Sequence, residues 1–527
     1  MTRITAFTAG LPSQLAKADI AQGLVRAARA AALEKSSSLS YAVSVSSQAL
    51  KLAAAPATQK AALPADYTNT VKLTKDKTLN PLLAGGNHWW HTPGGDGSVP
   101  SAVATHALTY SFMSGSSSST NFAALTDDQK TTVREALAYI SSVANVSFSE
   151  VGSGGNISYG TNDQTLTHSA GYASYPNDGG EVFLANNVSS FSASWDPGSF
   201  TWATLLHETG HALGLKHPGN YNAGGGGTPG PYLTKTLDNQ SSTIMSYNND
   251  AQNMKRISYN GSAFATSNVN PDSFQTLDIA ALQYLYGAPT SVTATTYTFT
   301  SDDIFSRTIW NSNPDSALDL SQLTANNVVD SREGKFSSIG IRDPYSDMDP
   351  YFTRDSYARL QAGGKKLTAL VGIPTYSGAN NLAIARGSHI NSVTGGSGND
   401  IIITNADSNT VDGGDGNDAV FVSALAGGAV TTVTGGAGDD TVYVAKKSGA
   451  LWTLSGGTLT LTQTDKKTNV VTTLATVDMS GVEHVNYWNG KAIKSSGTLV
   501  TASASAQKKV LAYASAPASA ARIRGTA

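Results

Sequence analysis

The chain has 527 residues, 51 of them Gly and none Cys, so it is long enough for about two to four domains and cannot build a disulfide framework or a thiol-based site. Its formal charge of −3 is uneven: residues 1–80 carry ten Lys/Arg against four Asp/Glu and 501–527 carry four against none, which leaves −13 in the body between. An acidic body argues against nucleic acid as a partner and suits divalent cations, and no run of about 18 apolar residues could serve as a transmembrane segment.

In chain order, "MTRITAFTAGLPSQLAKADI" (1–20) has no apolar core followed by a small-residue cleavage site, so it does not read as a secretory signal peptide. Residues 1–79 are Ala-, Ser- and Lys-rich with an expected helix near 13–35; they read as a leader, pro-segment or flexible arm, the other reading being a small helical domain. A first globular domain is expected over 80–289. "HALTYSFM" (106–113) opens it, and "LTDDQKTTVREALAYISSVANVSF" predicts an amphipathic helix. Thr126 and Gln129 stand in capping-box register there, with Val133, Leu137, Ile140 and Ala144 on one face. "NISYG" and "GGEVFLANN" read as strands bounded by Gly and Asn, and a further helix begins near Phe200.

That helix carries "TLLHETGHALGLKHPG" (204–219). Positions i and i+4 share a helical face, so His207 and His211 can aim their imidazoles at one point, half of a zinc site. Glu208 falls one step round the helix, beside the metal without being a ligand, where a base must stand to deprotonate a water. Gly214 ends the helix by tolerating a left-handed turn, and the turn lets His217 complete a set of three nitrogens. Three neutral ligands leave a coordination position open, the arrangement of one catalytic rather than structural zinc. The plain alternative is a helix with incidental histidines. Further on, "STIMSYNN" places Met245 28 residues after His217, with Tyr247 two beyond it.

His207, Glu208, His211, Gly214, His217 and Met245 match the H-E-x-x-H-x-x-G-x-x-H plus Met-turn pattern, so the chain resembles the metzincin metalloproteases. Over about 106–289, "LLHETGHALGLKHPGNYNAG", "TIMSYNN", "LDIAALQYLYGA" and "LTYSFM" are similar to the serralysin family of secreted bacterial zinc endopeptidases. The resemblance implies Met245 as a hydrophobic floor under the zinc, and Tyr247 as a movable extra zinc ligand that swings off to stabilise the oxyanion. It also implies a proteinaceous inhibitor as a partner. Read alone, Met245 and Tyr247 are better explained as core residues, and it is the histidine motif that reverses this. "GGEVFLAN" (179–186) is similar to that family's upper edge strand, against which an extended protein or peptide substrate adds as another strand; an ordinary surface strand is the alternative.

The C-terminal half is expected to be an all-β domain over 290–500. "GGSGNDIII" (395), "GGDGNDAVF" (413) and "GGAGDDTVY" (435) each fit G-G-x-G-x-D-x-U-x, the nonapeptide of calcium-binding parallel β-rolls. The residues expected to hold several calcium ions are Gly395, Ser397 and Asp400, then Gly413, Asp415 and Asp418, then Gly435, Ala437 and Asp440. Surface Gly/Asp loops are the alternative. "TIWNSNPDSALDLS" and "VVDSREGKFSSIG" also resemble the serralysin C-terminal domain, which implies calcium at Asp315 and Glu333. The stretch 342–380 is longer than that family leads one to expect. Calcium repeats suit a chain that stays unfolded inside and folds after leaving through a one-step (type I) secretion machinery, to a secreted or surface-associated location. The tail 501–527, ending "ASAARIRGTA", would then carry the secretion signal, although that family's usual ending is apolar.

The fold expected is therefore α+β: a metzincin catalytic domain, made of a twisted sheet and an active-site helix, followed by an all-β domain with a short parallel β-roll. The function expected is a zinc-dependent endopeptidase using a metal-activated water and a Glu base. Two alternatives stand beside it: a non-enzymatic calcium-dependent adhesion protein with a degenerate protease domain, and a metal-dependent enzyme acting on a non-peptide bond.

Overall fold

The computed structural model describes residues 106–488 except 117–120, 167–168, 177–178, 188–193, 223–226, 250–254, 260–263, 343–375 and 424–426, together with 69–70, 73–83 and 88–89. The expected helix at 13–35, most of the 342–380 stretch and the tail 501–527 lie outside the described residues.

A five-stranded sheet founds the first half: β1 (His106–Phe112), β2 (Val146–Glu150), β3 (Ile157–Asn162), β4 (Gly171–Ala173) and β5 (Glu181–Ala185), in the order β2-β1-β3-β5-β4. All neighbours run parallel except β4, which is antiparallel to β5. The expectation that 179–186 forms the sheet edge is therefore corrected. β5 is an interior strand, and the three-residue β4 covers it.

Helix α1 (Asp127–Val143) begins with the expected capping box. Thr126 Oγ1 accepts from Gln129 N at 3.3 Å, and Gln129 Oε1 accepts from Thr126 N at 2.9 Å, so two otherwise orphaned amides are satisfied. Val133, Leu137 and Ile140 are buried on its inner face; Ala144 is buried too, but as the C-cap. Helix α2 (Phe200–Ala212) is capped by Ser199, whose Oγ accepts from Trp202 N at 3.0 Å. It is buried along nearly its whole length because it crosses the core under the sheet; the fully buried Trp202 indole donates to Asp272 O at 2.9 Å. Helix α3 (Thr276–Tyr286) ends at Gly287, where φ is +83°, a conformation glycine adopts at little cost.

The first core reaches back before residue 80. Leu79, Leu82 and Leu83 are buried in it, Lys216 N donates to Leu82 O at 2.8 Å, and Asp76 pairs with Arg386 at 2.6 Å. The boundary expected at 79/80 thus falls inside a folded piece.

The second half is a β-roll with its own core. One wall stacks Val328–Asp330, Ile401–Ile403, Ala419–Val422, Thr441–Val444 and His484–Tyr487, all parallel. The opposite wall has eight strands, parallel from Thr296–Thr298 through Val471–Ser480 and closed by the antiparallel strands Thr458–Thr464 and Ala450–Ser455. Ile402, Val420, Val442 and Val485 lie in register and face the core. The first three are the apolar positions of the nonapeptide, which is why the repeat needs one.

The halves meet at a polar junction. Arg307 donates to Asp272 Oδ2 at 2.5 and 2.8 Å, Thr308 N to Ser273 Oγ at 2.8 Å, and Trp310 and Ala385 enter the first core.

Candidate active site and metal centres

Helix α2 turns off where the chemistry requires it. Leu215 N donates to Gly210 O at 2.8 Å and Gly214 N to His211 O at 2.9 Å, with Gly214 at φ +107°. This is the paired C-terminal bonding that needs a positive φ at its turning residue. The turn swings His217 back over the helix. His207 Nε2 and His211 Nε2 then lie 3.0 and 3.1 Å from His217 Nε2.

The other ring nitrogens assign the tautomers. His207 Nδ1 lies 2.9 Å from Ile244 O and His211 Nδ1 2.8 Å from Leu215 O; since a carbonyl only accepts, each Nδ1 carries the proton and each Nε2 presents a lone pair. Facing lone pairs repel unless a cation lies among them, and burial pushes the His207 and His217 imidazoles down to about 4 and about 3, away from protonation as an alternative. A tetrahedral ion about 2.0 Å from each nitrogen needs them about 3.3 Å apart, close to what is seen. Among the described residues this is the one group of three or more His, Cys, Asp or Glu side chains arranged to hold a metal.

Glu208 is buried beside the histidines against the edge strand; a methyl group on Gly171 would lie 2.7 Å from Glu208 Cγ. Burial alone pushes its carboxyl up to about 8, and a divalent cation nearby acts in the opposite direction. Met245 is wholly buried under the helix, its Sδ 3.0 Å from where a methyl on Gly210 would stand. Tyr247 is 47% exposed, its ring 4.5 Å from that of His217 and 4.9 Å from that of Tyr221.

Sequence reasoning missed Asp278, on α3. Its carboxylate accepts from Thr243 Oγ1 at 2.5 Å, Ile244 N at 2.7 Å and Gln275 N at 2.9 Å. It thereby holds the residue whose carbonyl fixes the His207 tautomer. Burial pushes this carboxyl up to about 7 against the pull of its three donors. The signal was an acid at the third position of an otherwise apolar helix in "TLDIAALQYLYGA". Lys216 was also missed: buried beside His217, it donates Nζ to Pro231 O at 3.1 Å.

In the roll the three nonapeptides stack in register. Asp400 N donates to Asp418 Oδ1 and Asp418 N to Asp440 Oδ1, both at 2.7 Å. The remaining oxygens, Asp418 Oδ2 and Asp440 Oδ2, are buried without a hydrogen-bond partner. A methyl on Gly395 would lie 2.0 Å from Gly413 O and 2.8 Å from Asp400 Oδ2, and one on Gly413 2.3 Å from Gly435 O and 2.4 Å from Asp418 Oδ2. Asp400 Oδ2 also accepts from Gly396 N at 2.8 Å, whereas at Asp418 and Asp440 carbonyl and carboxylate oxygens converge with the carboxylate oxygen unpartnered, which fits a hard cation. Ser397, Asp415 and Ala437 continue the stack, with Ser397 N bonded to Leu323 O, Asp415 N to Gly396 O and Ala437 N to Gly414 O. Asp315 and Glu333 are not brought into an acidic cluster. Asp315 is exposed beside Asn313, and the nearby carbonyls of Val292 and Thr293 are occupied by the amides of Asn313 and Asn311, while Glu333 Oε2 accepts from Gly387 N at 2.7 Å.

A family model described as metallo-peptidase family M12 matches residues 103–258, and one described as RTX calcium-binding nonapeptide repeat matches 387–421 and 426–445. This chain joins an M12 metallopeptidase domain to RTX calcium-binding repeats. It is similar to metallopeptidase AprA of Pseudomonas marginalis, 33% identical over 56% of this chain and 59% of that one. It is also similar to a serralysin of Photorhabdus sp. (strain Az29), 28% identical over 64% of this chain and 65% of that one. The chain thus spans about three fifths of the length of the curated relatives it matches. The solved structure of myroilysin aligns at a TM-score of 0.22 with 16% identity, covering 35% of this chain and 94% of that one. The metallopeptidase domain implies a catalytic zinc and the RTX repeats imply calcium. Among the described residues no helix is long and apolar enough to cross a membrane.

Proposed function

We propose that this chain is a secreted zinc endopeptidase acting on protein substrates, in which His207, His211 and His217 hold the metal and Glu208 is the general base. The observation that carries the reading is the convergence of three imidazole nitrogens, His207 Nε2 and His211 Nε2 lying 3.0 and 3.1 Å from His217 Nε2, with a buried carboxylate beside them. Zinc, when bound, supplies Lewis acidity toward a water and the scissile carbonyl. Glu208 takes the proton of the attacking water and later delivers it to the leaving amine, so no covalent intermediate is required. Met245 floors the site, and the exposed Tyr247 ring supplies a donor for the developing oxyanion. An extended substrate adds along the outer edge of β4, the strand that touches Glu208, rather than along β5 as the sequence had suggested.

In the same reading residues 80–289, with 73–79 packed against them, form the catalytic unit, 290–500 the calcium unit, the residues before 73 a leader or pro-segment and 501–527 a secretion tail. Stacked carboxylates that need calcium to pair suit export of an unfolded chain by a one-step machinery, and a protease of this type is a target for a proteinaceous inhibitor. The deciding experiment is casein digestion by wild type and Glu208→Ala, with zinc content measured on both. The expected result is proteolysis abolished in the variant at undiminished zinc content. Zinc lost together with activity would make Glu208 a ligand instead, and a wild type that binds zinc but cleaves neither casein nor a peptide library would return the domain to a non-peptidase role.

A further inference from the structure

The turn that closes the β-roll does not follow the nonapeptide. In the third copy, strand Ala429–Thr434 passes to Thr441–Val444 through the six residues 435–440, "GGAGDD". In the next turn Ser480 pairs with Thr434 and His484 with Thr441, yet only Gly481, Val482 and Glu483 join them. This stretch lies outside the matched repeats, which end at 445.

Glu483 nevertheless continues the carboxylate ladder. Its Oε2 accepts from Asp440 N at 2.8 Å, just as Asp440 Oδ1 accepts from Asp418 N and Asp418 Oδ1 from Asp400 N. Gly481 continues the carbonyl column: a methyl on Gly435 would lie 1.8 Å from Gly481 O and 2.6 Å from Asp440 Oδ2. That Asp440 Oδ2 is buried and unpartnered. The loop is three residues shorter than its predecessor, and glutamate, one methylene longer than aspartate, restores the reach.

The opposite end of the ladder closes differently. There Asn327 donates both its backbone N, at 2.7 Å, and its Nδ2, at 2.9 Å, to Asp400 Oδ1, so an amide finishes the column. At the lower end a carboxylate sits beside Asp440 instead. Asp439, beside it in the chain, is engaged by His484 Nε2 at 2.6 Å, and among the described residues no cationic side chain pairs with Asp440 or Glu483. A buried unpaired oxygen, a second carboxylate and an inward carbonyl with no donor call for a cation.

We propose that Gly481, Glu483 and Asp440 form a further calcium site, without the nonapeptide sequence, that closes the ladder and seats the segment 471–487 on the roll. The inference rests on the reading that the matched repeats bind calcium. The ion ties the inserted hairpin, whose strands Ala450–Ser455 and Thr458–Thr464 hang from Val471–Ser480, to the third repeat.

The test is the number of calcium ions bound at saturation by the full chain after chelation, with calcium chloride as the probe, for wild type, Glu483→Gln, Asp440→Asn and the double variant. Both substitutions keep an oxygen to accept the backbone N–H but remove the charge. Each single variant is expected to lose one ion, the double variant no more than either. Glu483→Asp, which keeps the charge but shortens the reach, is expected to keep the ion count with a severalfold weaker last site. Unchanged count and affinity in Glu483→Gln and Glu483→Asp would overturn the proposal while leaving calcium binding by the repeats intact. A wild type that binds no calcium would instead overturn the reading of the repeats, and this site with it.

Discussion

Tyr247 and Met245 stand two residues apart and have opposite fates, one 47% exposed above the histidines and the other wholly buried beneath Gly210. The segment leading into them is held by Asp278, whose carboxylate takes the donors of Thr243 and Ile244. The ring of Tyr247 is held between those of His217 and Tyr221, and Tyr221 is itself anchored through its hydroxyl to Asp238 Oδ1 at 2.5 Å. A donor so poised but not buried suits charge that develops only in the transition state. Tyr247→Phe should therefore lower kcat by about 100-fold with little change in KM. Steady-state kinetics on a peptide substrate check this, and an unaltered kcat would reduce Tyr247 to a packing residue.

At the scale of elements, the end of α2 matters more than its middle. A helix alone aligns His207 and His211, but His217 reaches them only because the chain reverses at Gly214, whose φ is +107°. A Cβ there is strained by about 1–2 kcal/mol. Gly214→Ala should lower thermal stability by about that amount and weaken zinc retention during dialysis against a mild chelator, through displacement of His217. Normal retention at lowered stability would separate the turn from the metal site. The sheet edge shows the opposite case. "GGEVFLANN" has the length and apolar content of a strand and was legible, whereas "GYA" is too short for periodicity to register. Strand order depends on which segment pairs last, so the outer position of β4 became visible only in the fold.

For the whole molecule, the calcium half should respond to pH through its ladder. Burial raises the carboxyls of Asp400, Asp418 and Asp440, and the neighbouring charges of Asp400 and Asp440 help bring Asp418 to about 7. An acid whose folded value lies above its unfolded value retains a proton that the unfolded chain has lost, so calcium-free stability falls as pH rises from about 4 to about 7. Calcium reverses the sign because it must displace that proton. Circular dichroism of the full chain in chelator should thus show a more stable roll at about pH 5 than at about pH 8, while the calcium concentration at the folding midpoint should rise as pH falls below about 7. A midpoint independent of pH would mean that these carboxylates do not bind the ion.

Much of the site could be read in one dimension because its parts lie close along the chain. His207, Glu208, His211, Gly214 and His217 fall within eleven residues on a helix and its turn, and helical geometry converts that spacing directly into convergence. The nonapeptides were equally legible, since each copy repeats the backbone demand of one tight turn. The tertiary structure alone decided what depends on contacts between distant segments. Asp278 reaches Ile244 across 34 residues, Arg307 reaches Asp272 across 35, and Glu483 meets Asp440 across 43 with an inserted hairpin between. None of these acids has a local pattern that names its partner, because a carboxylate is placed by whichever buried donor or charge the fold brings to it. Sequence spacing determines geometry within an element, whereas pairing between elements is set by which hydrophobic faces must be covered.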